Sequence, residues 1–236
     1  MSGSSPLYDD PELAAAYARV SAGNLYNAAY ERPAIRAVLG EVRGLDVLDA
    51  GAAAGEHAAW LAERGARVLA LDASAQMVRL ARARLGAGVP VLRADLARPL
   101  PLAGATFDLV LCSLTLHYLE DWNPALRELA RVLRPCGRLV LSTHHPFLTA
   151  QMVNDYHARV LVEDAFGGYA EQPVPVRYYH RPLEQIVAAL SGAGFTVRAL
   201  HEPRPGPDAD AIDPAAAATL RTRPWFLIVD AESGAR

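Results

Sequence analysis

Apolar, β-rich runs recur along the chain at residues 45–50, 66–72, 89–95, 106–113 and 137–144, with helical segments between them. Continuous apolar runs suit strands buried on both faces, and strands that alternate with helical crossovers pair in parallel. The helical segments carry their own punctuation. Ser74 is placed to cap a helix that Gly86 stops, and Asn123 and Pro124 open another that Gly137 is placed to terminate. Two further strands, 195–200 and 224–230, follow a helical stretch at 182–194, which brings the expected number of strands to seven. The Pro-, Asp- and Ala-rich residues 201–223 read as a long exposed loop with one helical turn.

At 236 residues the chain suits one α/β domain. Its expected parts are an N-terminal helical lid (1–40), a nucleoside-binding core (41–144), an insertion (145–181) and the C-terminal part of the sheet (182–236). No apolar run nears the roughly 18 residues that a membrane span needs. The opening MSGSSPLYDD has neither the basic residues nor the apolar core of a secretory signal, so a cytoplasmic protein with no membrane partner is expected. The net charge of -3 offers no broad field for nucleic acid. Cys112 and Cys136 stand apart from each other and from any CxxC pattern, which argues against a structural metal or disulfide framework, so no metal is expected.

The stretch VLDAGAAAGEHAAWLAERGARVLALD, from Val47 to Asp72, has the strand, tight turn, helix and strand of half a nucleotide site. A dinucleotide loop wants glycine at the first, third and sixth turn positions, which here are Gly51, Ala53 and Glu56. An acid at the helix N-terminus repels a pyrophosphate. What survives is Asp49, the turn through Gly51 and Gly55, and Asp72 at the end of the next strand, where a carboxylate can accept both ribose hydroxyls. Asp95 closes the third strand, placed to accept an adenine amine while Leu96 covers the ring. The ligand these residues suit is a nucleoside without phosphates.

At VLDAGAAAG, LALDASAQMV, RADLARPLPLAGATFDLVLCSLTLHYLEDW and LRELARVLRPCGRLVLSTHHP the chain resembles the class I S-adenosylmethionine (SAM) dependent methyltransferases, in the branch acting on small molecules. The resemblance implies a Rossmann-like α/β fold: a seven-stranded, mostly parallel sheet with helices on both faces, its last strand antiparallel, an N-terminal helical lid and an insertion after the fifth strand. It implies SAM as cofactor, held by Asp49, Gly51, Ala53, Gly55, Asp72, Ala73, Met77, Asp95, Leu96, Ser113 and Leu114, with Tyr17 from the lid. One departure stands out, since the family commonly has glycine where this chain has Ala53. The partner implied is a small, partly apolar molecule methylated at O, N or C, and the oligomeric state is left between monomer and homodimer.

A sulfonium methyl is already electrophilic, so few catalytic groups are compulsory. If a base is used, histidine is the natural type, and His145, His144 and His117 are the candidates in that order. The competing reading has His144 capping its strand and His117 packing beneath the cofactor. In the insertion, Tyr156, Tyr169, Tyr178, Tyr179 and His180 are candidates for lining a substrate pocket, against the plainer reading of a hairpin with cross-strand aromatics. The chain has CSLT where base-amine methyltransferases resemble an Asn/Asp-Pro-Pro-aromatic motif, and its Pro135–Cys136 pair lies at the wrong strand edge for cytosine chemistry. Rival readings are a SAM-binding cyclase or isomerase, a protein or RNA methyltransferase, and a non-catalytic SAM-binding module.

Overall fold

The computed structural model describes residues 6–234. The expected lid over residues 1–5 and the last two positions of the C-terminal part lie outside the described residues. The N-terminal segment expected as a lid is built from α1 (Pro6–Asp9), α2 (Pro11–Ser21), a π-helical turn at Leu25–Glu31 and α3 (Arg32–Leu39). The core alternates β1 (Asp46–Ala50), α4 (Glu56–Glu63), β2 (Arg67–Asp72), α5 (Ala75–Leu85), β3 (Val91–Arg93), β4 (Phe107–Cys112), α6 (Asn123–Val132) and β5 (Leu133–His144). The insertion holds α7 (Pro146–Thr149), β6 (Val160–Phe166) and β7 (Val174–His180). The chain ends with α8 (Leu183–Gly192), β8 (Phe195–His201), α9 (Ala209–Ile212), α10 (Pro214–Thr222) and β9 (Phe226–Ser233).

Seven strands form one sheet in the order β3-β2-β1-β4-β5-β9-β8, and β9 alone runs antiparallel to both its neighbours. Alternate residues of each strand feed opposite faces. Leu48, Val110 and Leu141 pack against Leu126 and Leu129 of α6 and Ile186 and Leu190 of α8. Val47, Leu109 and Val140 pack on the other face against Ile35 and Leu39 of α3 and Ala58 and Leu61 of α4. Both faces being covered is what makes these strands apolar throughout. Strand order reverses between β1 and β4, and ligands of such sheets enter the crevice at the carboxyl ends of the strands flanking that point.

Three local expectations give way to packing. Residues 201–223 are not one loop with a turn but carry α9 and α10. Asp213 caps α10 by accepting the Ala216 N–H at 2.9 Å, and Ala217 and Leu220 are buried against Leu25, Tyr30 and Phe226. The helix expected to run to Gly137 stops at Val132, and β5 begins at once. Arg134 holds this bulged start by pairing with Asp46 at 2.8 Å and Asp108 at 2.6 Å. Asn123 does not cap α6, because it is the helix's first residue and Trp122 holds the N-cap position without a side-chain bond; Asp121, just outside, accepts the Asn123 N–H at 3.0 Å. Among the described residues no helix is long and apolar enough to cross a membrane.

Candidate cofactor site

The turn after β1 is shaped by three residues with positive φ: Gly51 at 84°, Ala53 at 46° and Gly55 at 81°. Gly51 is fixed by space as well as by dihedral. A β-carbon there would collide with the Thr115 hydroxyl and come within 2.5 Å of Thr115 Cγ2. Gly55 faces Leu85 at 3.0 Å from the place of a β-carbon, which lets α4 and α5 approach. Gly51 and Ala52 donate their N–H groups to the Leu71 carbonyl at 2.9 and 2.8 Å, tying the turn to the end of β2.

Asp72 ends β2 beneath that turn. One carboxylate oxygen accepts the Ala53 N–H at 2.9 Å and the other accepts the Ser74 N–H at 2.9 Å. Burial raises its pKa, and those amides partly offset the effect. Ser74 in turn caps α5 and donates its hydroxyl to the Tyr8 carbonyl at 2.6 Å, so the lid is fastened to the turn beside Asp72.

These elements line a partly open cavity of about 180 Å³ at the switch point. Asp72, Ala73, Met77, Asp95 and Leu96 lie along one end, and Ser21, Asn27, Glu31 and Arg32 of the lid along the other. Tyr8, Tyr17 and Tyr118 cover it. The Tyr8 and Tyr118 hydroxyls are 2.7 Å apart, and the Tyr8 ring meets Tyr17 edge-on at 5.1 Å. Tyr169 of the insertion packs on Tyr17 at 5.5 Å. Burial lifts Tyr8 well above the ordinary phenol range and Tyr118 to about 12, so both are neutral, hydrogen-bonding tips near neutral pH.

Glu31 is 1% exposed yet forms part of the cavity wall. It accepts the hydroxyls of Ser113 at 2.8 Å and Ser142 at 2.6 Å, and His57 Nε2 lies 3.6 Å away. Burial alone would raise its pKa, but His57 and the two hydroxyls outweigh it and hold the group below its ordinary value.

Of the residues expected to hold the cofactor, Gly51, Ala53, Asp72, Ala73, Met77, Asp95, Leu96, Ser113, Leu114 and Tyr17 line this cavity. Asp49 and Gly55 do not. Asp49 lies behind the turn, 1% exposed, with Oδ2 lacking a partner, and burial pushes its pKa up to about 6.

The three candidate histidines are not on the wall. His145 spends both ring nitrogens on structure: Nδ1 accepts the Phe147 N–H at 2.9 Å to cap α7, and Nε2 meets Glu202 at 2.8 Å. His117 and His144 stack on each other at 4.1 Å under Tyr178, and burial pushes His144 down to about 4 and holds His117 well below the ordinary imidazole value. Among the expected substrate residues, Tyr169 reaches the lid by its ring contact with Tyr17, and the buried hairpin cluster that contains Tyr178 packs against Tyr8, Tyr17 and Tyr118. Tyr178 donates to Asp164 at 2.8 Å, His180 bonds Thr149 at 2.6 Å, Tyr179 pairs with Leu161 across the hairpin, and Tyr156 is 39% exposed. The hairpin thus spends Tyr178 and Tyr169 on docking against the core and the N-terminal helices, and none of the five expected substrate residues lines the cavity.

Sequence reasoning missed Tyr8, Glu31, Arg32, His57, Thr115 and Tyr118. Tyr118 directly follows His117, and the short 3₁₀ turn Leu116–Tyr118 sends the phenol to the cavity and the imidazole to the core. Glu31 sits between Tyr30 and Arg32 in a lid helix, where an acid reads as a solvated position until the π-helical turn is known.

Comparison with known proteins agrees with this geometry. A family profile described as "Methyltransferase domain" matches residues 48–141. The malonyl-[acyl-carrier protein] O-methyltransferase of Pseudescherichia vulneris is 37% identical over 140 residues, 58% of this chain and 55% of that protein, so the match spans little over half its length. The demethylmenaquinone methyltransferase of Thermus thermophilus is 34% identical over 166 residues, 64% of this chain and 74% of that protein. A crystal structure of an S-adenosylmethionine dependent methyltransferase from Mesorhizobium loti superposes with a TM-score of 0.74 at 34% identity, covering 89% of this chain and all of that one. With a cavity at the switch point, an acid at the end of β2 and these relatives, the chain belongs to the SAM-dependent methyltransferase family.

Proposed function

We propose that the chain transfers a methyl group from SAM to an O, N or C atom of a small, partly apolar molecule held beneath the tyrosine lid. The observation that carries this reading is the cavity itself, lined by Asp72 and Asp95 from the ends of β2 and β3, by Glu31 and Arg32 from the N-terminal helices, and by Tyr8, Tyr17 and Tyr118. The fit to the cofactor is a matter of space and donors. Gly51 leaves bare backbone where a side chain could not go, Asp72 has lone pairs left for ribose hydroxyls, and Leu96 and Met77 offer apolar cover for a purine. Arg32, whose Nη1 donates to the Ser21 carbonyl at 2.9 Å, supplies a cation for the carboxylate of the methionyl part.

Bound there, SAM supplies a methyl group already activated on a positively charged sulfur. The chain's own work is then alignment and exclusion of water, effects that can lower a barrier by several kcal/mol. The lid performs both. Its phenols close the cavity through the Tyr8–Tyr118 contact, and their neutral hydroxyls can orient a polar atom of the acceptor. With His117, His144 and His145 off the wall, the imidazole and carboxylate that line it as a pair are His57 and Glu31, 3.6 Å apart.

The relatives act on two different kinds of acceptor, a carrier-bound malonyl group and a quinone ring, and the aromatic cover favours the flat apolar kind. Incubation of the protein with SAM and a panel of phenols, quinols and heteroaromatic amines, read by formation of the demethylated cofactor and by the mass of the acceptor, tests the reading. Turnover is expected with members of that panel. Turnover confined to an acyl-carrier protein or to RNA would overturn it.

A further inference from the structure

Glu31 is a buried carboxylate that no motif of the sequence marks, and its setting is unusual for a lid residue. The π-helical turn Leu25–Glu31, capped by Asn24 on the Asn27 N–H at 2.8 Å, delivers it to the carboxyl ends of β4 and β5. There its Oε1 receives Ser113 at 2.8 Å and Ser142 at 2.6 Å, which fixes its position. The charged and titratable groups around it are His57, 3.6 Å from Oε2, Arg32 on the same wall, Arg36 of α3 and Asp49 behind the turn. Among the described residues no arginine forms an ion pair with Glu31, whose ion-pair partner is His57, and Arg32 donates to the Ser21 carbonyl while keeping its charge on the same wall.

A negative charge fixed in the cavity wall acts through space, because Coulomb energy falls only inversely with distance. SAM and its demethylated product differ by one methyl and one positive charge on sulfur. A cavity that has to hold the first and release the second can distinguish them only by those two features.

We infer that Glu31 is the charge discriminator of the site, a specificity-determining residue that favours the sulfonium cofactor over its uncharged thioether product and so assists product release. This inference rests on the methyl-transfer reading of the cavity. Ser113 and Ser142 act as positioning residues for the carboxylate, since each spends its hydroxyl on holding Oε1.

The test is a set of equilibrium titrations of the full chain with SAM, with S-adenosylhomocysteine, and with the SAM analogue that carries an amine in place of the sulfonium. For Glu31→Gln, which keeps an oxygen to accept the two serines, the preference for SAM over the thioether should fall by about tenfold or more, the usual weight of a charge-assisted contact. Glu31→Asp, which keeps the charge, should retain most of the preference. The wild-type protein should also bind the amine analogue, positively charged at neutral pH, more tightly than the thioether, a comparison that does not depend on any variant folding. An unchanged ratio of affinities in folded Glu31→Gln, or equal wild-type affinity for the amine analogue and the thioether, overturns the inference while leaving the cofactor site intact. Failure of the wild-type protein to bind either SAM or the thioether overturns the methyl-transfer reading and this inference with it.

Discussion

Asp72 accepts the backbone N–H of Ala53 across 2.9 Å, and Ala53 makes that bond from a left-handed φ of 46°. The acid at the end of β2 therefore does two things: it braces the turn above it and presents its remaining lone pairs to the cavity. Replacing Asp72 with Ala should remove charge-assisted hydrogen bonds worth about 1.5 to 3 kcal/mol, and SAM affinity should fall by roughly ten- to a hundredfold or more. Calorimetric titration checks it, and unchanged affinity would remove Asp72 from the cofactor's contacts.

The same φ makes a prediction about stability. A β-carbon in the left-handed region costs about 1 to 2 kcal/mol, whereas glycine pays only the extra freedom of its unfolded chain, about 0.4 to 1 kcal/mol. Ala53→Gly should thus stabilise the protein by up to about 1 kcal/mol and bind SAM at least as tightly. Denaturant unfolding with the slope compared between the two proteins decides it. A loss of stability would mean that Ala53 is unstrained.

Asp49 should make the protein's stability depend on pH. Its folded pKa of about 6 lies above that of an unfolded aspartate, so its contribution is fully present below about pH 4 and is lost as pH rises through about 6. The full loss corresponds to about 3 kcal/mol. Measured without cofactor, the stability of wild type relative to Asp49→Asn should fall by an amount of that order between about pH 4 and about pH 7.5. A difference independent of pH would show that Asp49 titrates as it does in an unfolded chain.

His145 should prove structural. Loss of a general base costs about a hundredfold or more in turnover, while loss of a helix cap costs about 1 kcal/mol of stability. Because His145 caps α7 and meets Glu202 away from the cavity wall, His145→Gln should lower thermal stability and leave kcat within a few-fold of wild type. A collapse of kcat together with loss of the acidic limb of the pH profile would return it to the site.

The parts of the fold written in short-range chemistry were legible in the sequence. Ser74 and Gly86 bound α5 as expected, the strand rhythm predicted all seven strands of the sheet, and Gly51, Asp72 and Asp95 pointed to the switch-point cavity. What was not legible depends on direction within a turn or on distant packing. His117 and Tyr118 are adjacent, and nothing in their identities says which of them faces the cavity. Glu31 becomes a site residue only when a π-helical turn brings it to Ser113 and Ser142, 82 and 111 positions away. His145 was read from its strand edge, but the Phe147 N–H and Glu202 compete for its nitrogens. Residues 214–222 looked polar and irregular, yet Asp213, Pro214 and the alanines that follow are themselves a helix start, and Leu220 supplies the apolar anchor.

The central claim, that the turn at Gly51 cradles SAM, is tested most directly by titrating SAM into the wild-type protein and into Gly51→Val. The variant places side-chain carbon where Thr115 already stands, on a residue whose φ of 84° disfavours any β-branched substitute. Wild type should bind one SAM per chain with saturation, and Gly51→Val should show no measurable binding. A folded Gly51→Val protein that binds SAM with wild-type affinity would contradict the account.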